Sequence, residues 1–202
     1  MVKRIPWWGV VSGAGAPVVL GAGLALAQAR QPASYNPIRD TISALAAHGA
    51  TDRWVMTSAL AGLGACHVMT ALSLRPVRPG GRALLGLGGV ATVMVATFPQ
   101  PAHGNSVAHT VAATVAFGAL AIWPLFASRR RRVAPLLTRP TSIAASVVLI
   151  GLVVWFAAEL HGGQRGLAER AAAGAQALWP LAVVVTTRRA LARHTPVRLA
   201  PA

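Results

Sequence analysis

The chain of 202 residues is 54% hydrophobic and only 11% charged, and its formal net charge at pH 7 is +15. Because soluble domains carry about 25% charged residues, the composition excludes a water-covered globular surface and predicts an integral membrane protein. The cationic residues lie in short clusters between long apolar runs. This pattern is typical of membrane-protein loops, and it argues against a nucleic-acid partner.

Six apolar runs approach the length of about 20 residues that a helix needs to cross a bilayer. From the amino end they cover 7–28, 54–74, 82–98, 106–127, 141–160 and 170–187. The first run ends in LAQA before Arg30, which resembles a signal-peptide cleavage site, but its apolar run of about 20 residues exceeds a typical signal core. We therefore expect it to be retained. The sequence predicts an all-α, polytopic bundle of six transmembrane helices in one domain, 1–202.

The distribution of positive charge predicts the orientation. Fourteen of the nineteen Lys and Arg residues lie on one side of the predicted spans, at the two termini and in the connections after spans two and four. Loops rich in Lys and Arg stay in the cytoplasm. We therefore expect a multi-pass protein of the cytoplasmic membrane with both termini in the cytoplasm.

Acidic residues and histidines follow the opposite distribution. The acidic residues are Asp40, Asp52, Glu159 and Glu169, and the histidines near them in the predicted topology are His48, His103, His109 and His161. All of these lie on or near the predicted outer face. The sequence therefore predicts that any polar chemistry takes place there, while the inner face is a basic rim facing anionic lipid headgroups.

A short sequence recurs in the fourth and sixth spans, as GALAIWPL at 118–125 and GAQALWPL at 174–181. A His-Gly pair precedes each even-numbered span. These recurrences favour three repeated helical hairpins. Chance similarity in so Ala- and Gly-rich a chain is the alternative.

The segment 35–54 is unusually polar for this chain. Asn36 followed by Pro37 is typical of a helix start, and Gly49 is typical of a helix end. The segment predicts a short outer-face helix near 37–48 that lies at the interface or against the bundle mouth. Asp40 and Ser43 would then share one face. A carboxylate in the first turn also stabilises the helix dipole, which is the structural alternative for Asp40.

Three stretches, YNPIRDTISALAAHG, TFPQPAHGNSVAH and GLAERAAAGAQALWP, resemble the domain of unknown function 998 family of prokaryotic membrane proteins, and the resemblance extends over nearly the whole chain. The matching positions are Ile42, Ser43, Leu45, Phe98, Pro99, His109, Gly166, Leu167, Glu169 and Arg170. The resemblance implies a six-span bundle with a polar cluster and no established activity.

Asp40, Ser43, His109 and Glu159 are the catalytic candidates, with a carboxyl acting beside His109 in general acid–base chemistry. A Ser43–His109–Asp40 hydrolase is a weaker alternative, since no G-x-S-x-G elbow is present. The ligand-binding candidates are His48, His103, Trp155, Glu169 and Arg170. A structural clamp between the Glu169–Arg170 pair and the loops is the alternative for those two residues, and a water-exposed position is the alternative for Glu159.

No metal site and no cofactor are predicted. The histidine spacings match no metal motif, and Cys66 is the chain's single cysteine, so zinc and haem are weak alternatives. The leading hypothesis is a bacterial membrane protein that binds or processes a lipid or isoprenoid at the outer polar cluster. A small-molecule transporter and a non-catalytic scaffold are the alternatives. Membrane lipids are the expected partners, with self-association or another membrane protein left open.

Overall fold

The computed structural model describes residues 4–102, 104–128 and 133–193, and every regular element in those ranges is helical. The elements are α1 (Trp7–Gln28), α2 (Ile42–Ala46), α3 (Trp54–Ser73), α4 (Pro79–Thr97), α5 (Val107–Ala127), a 3₁₀ turn (Pro135–Leu137), α6 (Arg139–Ala158) and α7 (Arg165–Arg193). The all-α prediction is confirmed. His103 and the Arg129–Arg132 run lie outside the described residues, as do Lys3, His194 and Arg198.

The six long helices form a ring in which each packs against the next along the chain. α1 packs on α3, then α3 on α4, α4 on α5, α5 on α6 and α6 on α7, and α7 returns to α1. We call the end of the bundle with the connections 29–53, 98–106 and 159–164 the α2 end, and the opposite end the arginine end. Buried apolar side chains form one cluster near the α2 end, around Leu45 and Met56, and a second around Leu85 and Trp123.

Five helices, α1, α3, α4, α5 and α6, are long and apolar enough to cross a membrane. Many large apolar side chains, such as Val18, Val147 and Val154, are also exposed on the sides of the bundle. The chain therefore has the character of a multi-pass membrane protein. The first half of α7 carries Glu169, Arg170 and Gln176, which lower its hydropathy, so the sixth crossing stays a prediction.

The predicted spans and the observed helices differ mainly at their ends. α4 begins at Pro79, three residues before the predicted start, because proline suits the first helical position. Arg82 is accommodated inside this helix because its Nε donates a hydrogen bond of 3.0 Å to the carbonyl of Ala71. α7 runs past its predicted limits at both ends, from Arg165 to Arg193.

The prediction of a helix near 37–48 was wrong in its extent. Asn36 starts a turn rather than a helix, because its Oδ1 accepts a hydrogen bond from the Ile38 backbone at 2.9 Å. The helix begins at Ile42, where the hydroxyl of Thr41 accepts a hydrogen bond from the Ala44 backbone at 3.0 Å and caps it. α2 is therefore only five residues long.

Glycine allows very close backbone contact between α3 and α4. A Cβ atom built on Gly64 would lie 2.5 Å from the carbonyl oxygen of Gly89, and one built on Gly89 would lie 2.7 Å from that of Gly64. Small residues are the usual means of close helix packing in lipid. Two of the three His-Gly corners turn through a left-handed glycine, at Gly49 and Gly104. The repeated hairpins stay a prediction.

Candidate functional site

The turn before α2 is docked onto the first residues of α7. The Leu167 backbone donates a hydrogen bond of 3.0 Å to the carbonyl of Ile38. A side chain on Gly166 would collide with the carbonyl oxygen of Asp40, so glycine is required for this approach. The segment that precedes α2 is thus held against a helix that follows it by more than 120 residues.

Arg170 fastens the same contact. Its guanidinium donates hydrogen bonds to the carbonyls of Asp40, at 2.7 Å, and Gly166, at 2.8 Å, and to the hydroxyl of Tyr35. Burial raises the pKa of Tyr35 above its usual 10, and the nearby charge of Arg170 opposes that rise. All of these contacts are within the protein, so the geometry supports the clamp alternative for Arg170.

Glu169 is buried, with only 4% of its surface exposed. Its Oε2 accepts a hydrogen bond from the Ile42 backbone at the start of α2, and its Oε1 lies 3.1 Å from the Ser43 hydroxyl. The first N–H groups of a helix have no partner within the helix. Glu169 satisfies one of them for α2, and this contact places Ser43 beside the carboxyl.

His109 also contacts Ser43. It lies in the first turn of α5, where the Ser106 hydroxyl accepts a hydrogen bond from the His109 backbone at 3.2 Å. Its Nδ1 is 2.9 Å from the carbonyl oxygen of Phe98, and its Nε2 is 3.1 Å from the Ser43 hydroxyl. Glu169, Ser43 and His109 therefore form one continuous hydrogen-bonded chain, which we call the relay.

The hydrogen-bonding capacity of the relay fixes how many protons complete it. The Phe98 carbonyl only accepts, so Nδ1 of His109 must donate, and a neutral His109 then presents a bare Nε2. The Ser43 hydroxyl has a single proton and cannot donate both to this Nε2 and to a carboxylate. One additional proton completes the chain, held either on Glu169 or on His109. Moving it between them through Ser43 changes no hydrogen-bond partner.

This arrangement differs from a hydrolase triad. In a triad the base touches the nucleophile and the acid touches the base. Here the acid, Glu169, contacts the serine. Asp40 is not part of the relay, and its carboxylate instead accepts a hydrogen bond of 2.7 Å from the Asn36 backbone. The relay can therefore hold and move a proton, whereas the geometry gives no support to the Ser43–His109–Asp40 alternative.

The remaining candidates lie apart from the relay. The carboxylate of Glu159 accepts a hydrogen bond of 3.0 Å from the Gln164 backbone in its own loop. His48 is exposed, and its backbone donates to the carbonyl of Gln100 at 2.8 Å. Trp155 is half-buried on α6 and does not line the cavity described next. Of the catalytic candidates, the structure brings together Ser43 and His109. Glu169, a ligand-binding candidate, contacts Ser43 as well.

A cavity of about 50 Å³ extends from the relay into the bundle. Ser43 and Glu169 line one part of it, and the polar side chains of His67, Thr92 and Gln176 line the rest, among leucines and Phe117. The Nε2 of Gln176 donates a hydrogen bond of 2.9 Å to the carbonyl of Phe117. Nδ1 of the fully buried His67 has no hydrogen-bond partner among the described residues.

Sequence reasoning missed the roles of Tyr35, His67, Thr92 and Gln176. Gln176 was detectable, since it is a polar residue seven positions after Glu169 and hence on the same face of α7. In the described parts of the chain, no group of three or more His, Cys, Asp or Glu side chains could hold a metal ion. That leaves the zinc alternative without support from the described geometry.

The fold and the site together define a helical bundle of membrane-protein type with a buried acid–hydroxyl–imidazole relay at one end. Residues 13–186 match a family described as "Protein of unknown function (DUF998)", and the chain belongs to this family. The match confirms the family that the sequence motifs indicated. No curated protein and no solved structure matches the chain.

Proposed function

We propose that the protein crosses the cytoplasmic membrane six times, with α7 as the sixth crossing and the α2 end facing outward. α7 has 29 residues, so it is about 43 Å long at 1.5 Å per residue and exceeds the roughly 30 Å hydrocarbon core. It also closes the ring between α6 and α1. The excess of arginine at the other end supports a cytoplasmic position for both termini.

We infer that the protein binds and chemically processes the polar head of a lipid or isoprenoid by general acid–base action at the relay. The observation that carries this proposal is the single chain of hydrogen bonds through Glu169, Ser43 and His109, which one shared proton would complete inside a largely apolar bundle. Ionisable residues at membrane depth are costly and mark functional sites. A proton held beside a cavity suits protonation or deprotonation of a bound group.

The size of the cavity limits how such a ligand could bind. Pockets for drug-sized molecules measure about 300–1,000 Å³, so about 50 Å³ accepts only a small polar head. The hydrocarbon chain would lie in the bilayer. Wider access would require displacement of α2, which is the shortest α-helix in the described chain and is held by Glu169.

Native mass spectrometry tests the binding step. The purified protein would be offered bacterial phospholipids and a polyprenyl alcohol in a mild detergent, and compared with its Ser43→Ala variant. We expect a discrete adduct that Ser43→Ala reduces at least fivefold. Glu159→Gln is the matched control, since it removes a carboxyl at the same end of the bundle but outside the relay.

The chemical step has its own variant. Glu169→Gln keeps a side chain of the same shape that cannot release a proton, so the ligand should still bind but stay unconverted. A bare protein in every sample, or equal adducts in all variants, would contradict the proposal and favour a scaffold.

Transport of a small polar solute is a second candidate function, favoured by the depth at which His67 and Gln176 line the cavity.

A further inference from the structure

We propose that the cavity is a water-filled path that carries protons between the relay and His67 inside the bundle. The inference rests on the proposed acid–base role of Glu169 and extends it inward from the α2 end. His67 becomes the inner terminus of this path. The cavity then binds water, and a small uncharged molecule that forms hydrogen bonds is the class of ligand that could replace the water.

The first support is the unsatisfied nitrogen of His67. Its side chain is 1% exposed and lines the cavity, yet Nδ1 has no hydrogen-bond partner in the described chain. Leaving such a buried group unpaired is energetically costly. Buried polar groups of this kind are usually satisfied by ordered water.

The second support is the presence of further polar partners along the cavity. Thr92 donates its hydroxyl proton to the carbonyl of Gly88 at 2.8 Å and keeps lone pairs free to accept. Gln176 donates through Nε2, which leaves its carbonyl oxygen as an acceptor. A buried water typically needs two to four polar partners. Together with His67, these side chains supply as many polar partners as such a water needs.

The third support is a match of length and volume. Glu169 and Gln176 are seven residues apart on α7, which corresponds to about 10 Å along a helix. A buried water needs roughly 10–15 Å³ of cavity volume, so the cavity of about 50 Å³ holds on the order of three to five water molecules. A file of three to five waters, spaced at a hydrogen-bond distance of about 2.8 Å, spans roughly 6–11 Å, which is comparable with this length.

The titratable groups that face the path are few. Among the cavity-lining residues only His67 and Glu169 ionise, and His109 joins through Ser43. Cys66 precedes His67 on α3 but faces α1, where a Cβ on Gly15 would lie 2.9 Å from its sulfur. Proton movement along the cavity therefore has two end points, Glu169 and His67.

Solid-state NMR of the full chain in lipid nanodiscs tests this inference, with ¹⁵N in the histidine rings and His67→Gln used to assign the His67 resonance. Water-edited spectra should transfer magnetisation from water to the His67 ring. Ala173→Leu places a larger side chain at the cavity wall and should abolish the transfer. Ala175→Leu makes the same change on α7 away from the cavity and should preserve it.

The proton step is read from hydrogen exchange of the same ring in D₂O. Glu169→Gln should slow exchange at His67 at least tenfold relative to the Glu159→Gln control. A dry His67 in the original chain would overturn the water site, and equal exchange in both variants would overturn the path to Glu169. Because neither readout needs a lipid ligand, failure here is distinguishable from failure of the proposed lipid chemistry.

Discussion

Ser43 is the residue on which the candidate site depends, because its one hydroxyl touches both Glu169 and His109. Sequence reasoning could nominate all three side chains, since polar residues are rare in this chain. It could not pair them, because Ser43 is 66 residues from His109 and 126 from Glu169. Asp40 was also named and was predicted to share a helix face with Ser43, but the helix begins only at Ile42.

Substitutions at Glu169 test where the relay holds its proton. A protonated carboxyl is well imitated by glutamine, whose amide can donate to Ser43 and accept from the Ile42 backbone. We expect Glu169→Gln to change the free energy of unfolding little, while Glu169→Leu leaves that buried N–H unpaired and costs about 1–3 kcal/mol. Thermal unfolding in detergent measures both. Equal losses in the two variants would mean that Glu169 is ionised and His109 carries the proton.

Tyr35 offers a direct test of burial, because it is the only tyrosine in the chain. Since burial raises its pKa above 10, the unfolded phenol ionises first as the pH rises. Well below pH 10 the phenol is protonated in both the folded and the unfolded protein, so its titration does not change the free energy of unfolding. Above pH 10 the free energy of unfolding falls as the pH rises. Phenolate absorbance should give a midpoint above 10 in the folded protein and near 10 after denaturation. A folded midpoint at or below 10 would contradict the burial of this ring.

At the scale of elements, the long helices were predictable and the short one was not. Apolar runs near 20 residues define the long helices within a few positions, because the length needed to cross a hydrocarbon core sets the length of such runs. α2 has five residues, and its position depends on Glu169 and on the Thr41 cap rather than on its own periodicity. The amino end of α7 was misjudged because Glu169 and Arg170 interact with protein rather than with water.

The contact between α3 and α4 should be sensitive to a single methyl group. We expect Gly64→Ala to destabilise the protein by about 1–3 kcal/mol, because the added carbon would lie 2.5 Å from the Gly89 carbonyl and force the helices apart. Gly118→Ala on α5 is the control, since a Cβ there meets nothing within 4 Å. The control should be neutral or slightly stabilising, as alanine favours helices by up to about 1 kcal/mol. Melting temperatures that fall equally would show that the close contact carries no special cost.

At the scale of the whole molecule, the proposal of six crossings makes a prediction about sidedness. In a Cys66→Ser background, we expect Gly163→Cys to react with a membrane-impermeant maleimide from outside intact cells. Arg189→Cys, on the far part of α7, should react only after permeabilisation. Both positions are exposed, so access depends on the side of the membrane rather than on burial. Labelling of both positions from the same side would remove α7 from the crossings.

The docking of α2 onto α7 also has a consequence for biosynthesis. Ile42 emerges from the ribosome 127 residues before Glu169, its hydrogen-bond partner. At about 5–20 residues per second, that interval is roughly 6–25 seconds. During this time the early helices can enter the membrane, but the α2 segment has neither its carboxyl partner nor the Arg170 clamp. The relay is therefore assembled last, and a nascent chain that stops before α7 lacks the carboxyl group of the relay.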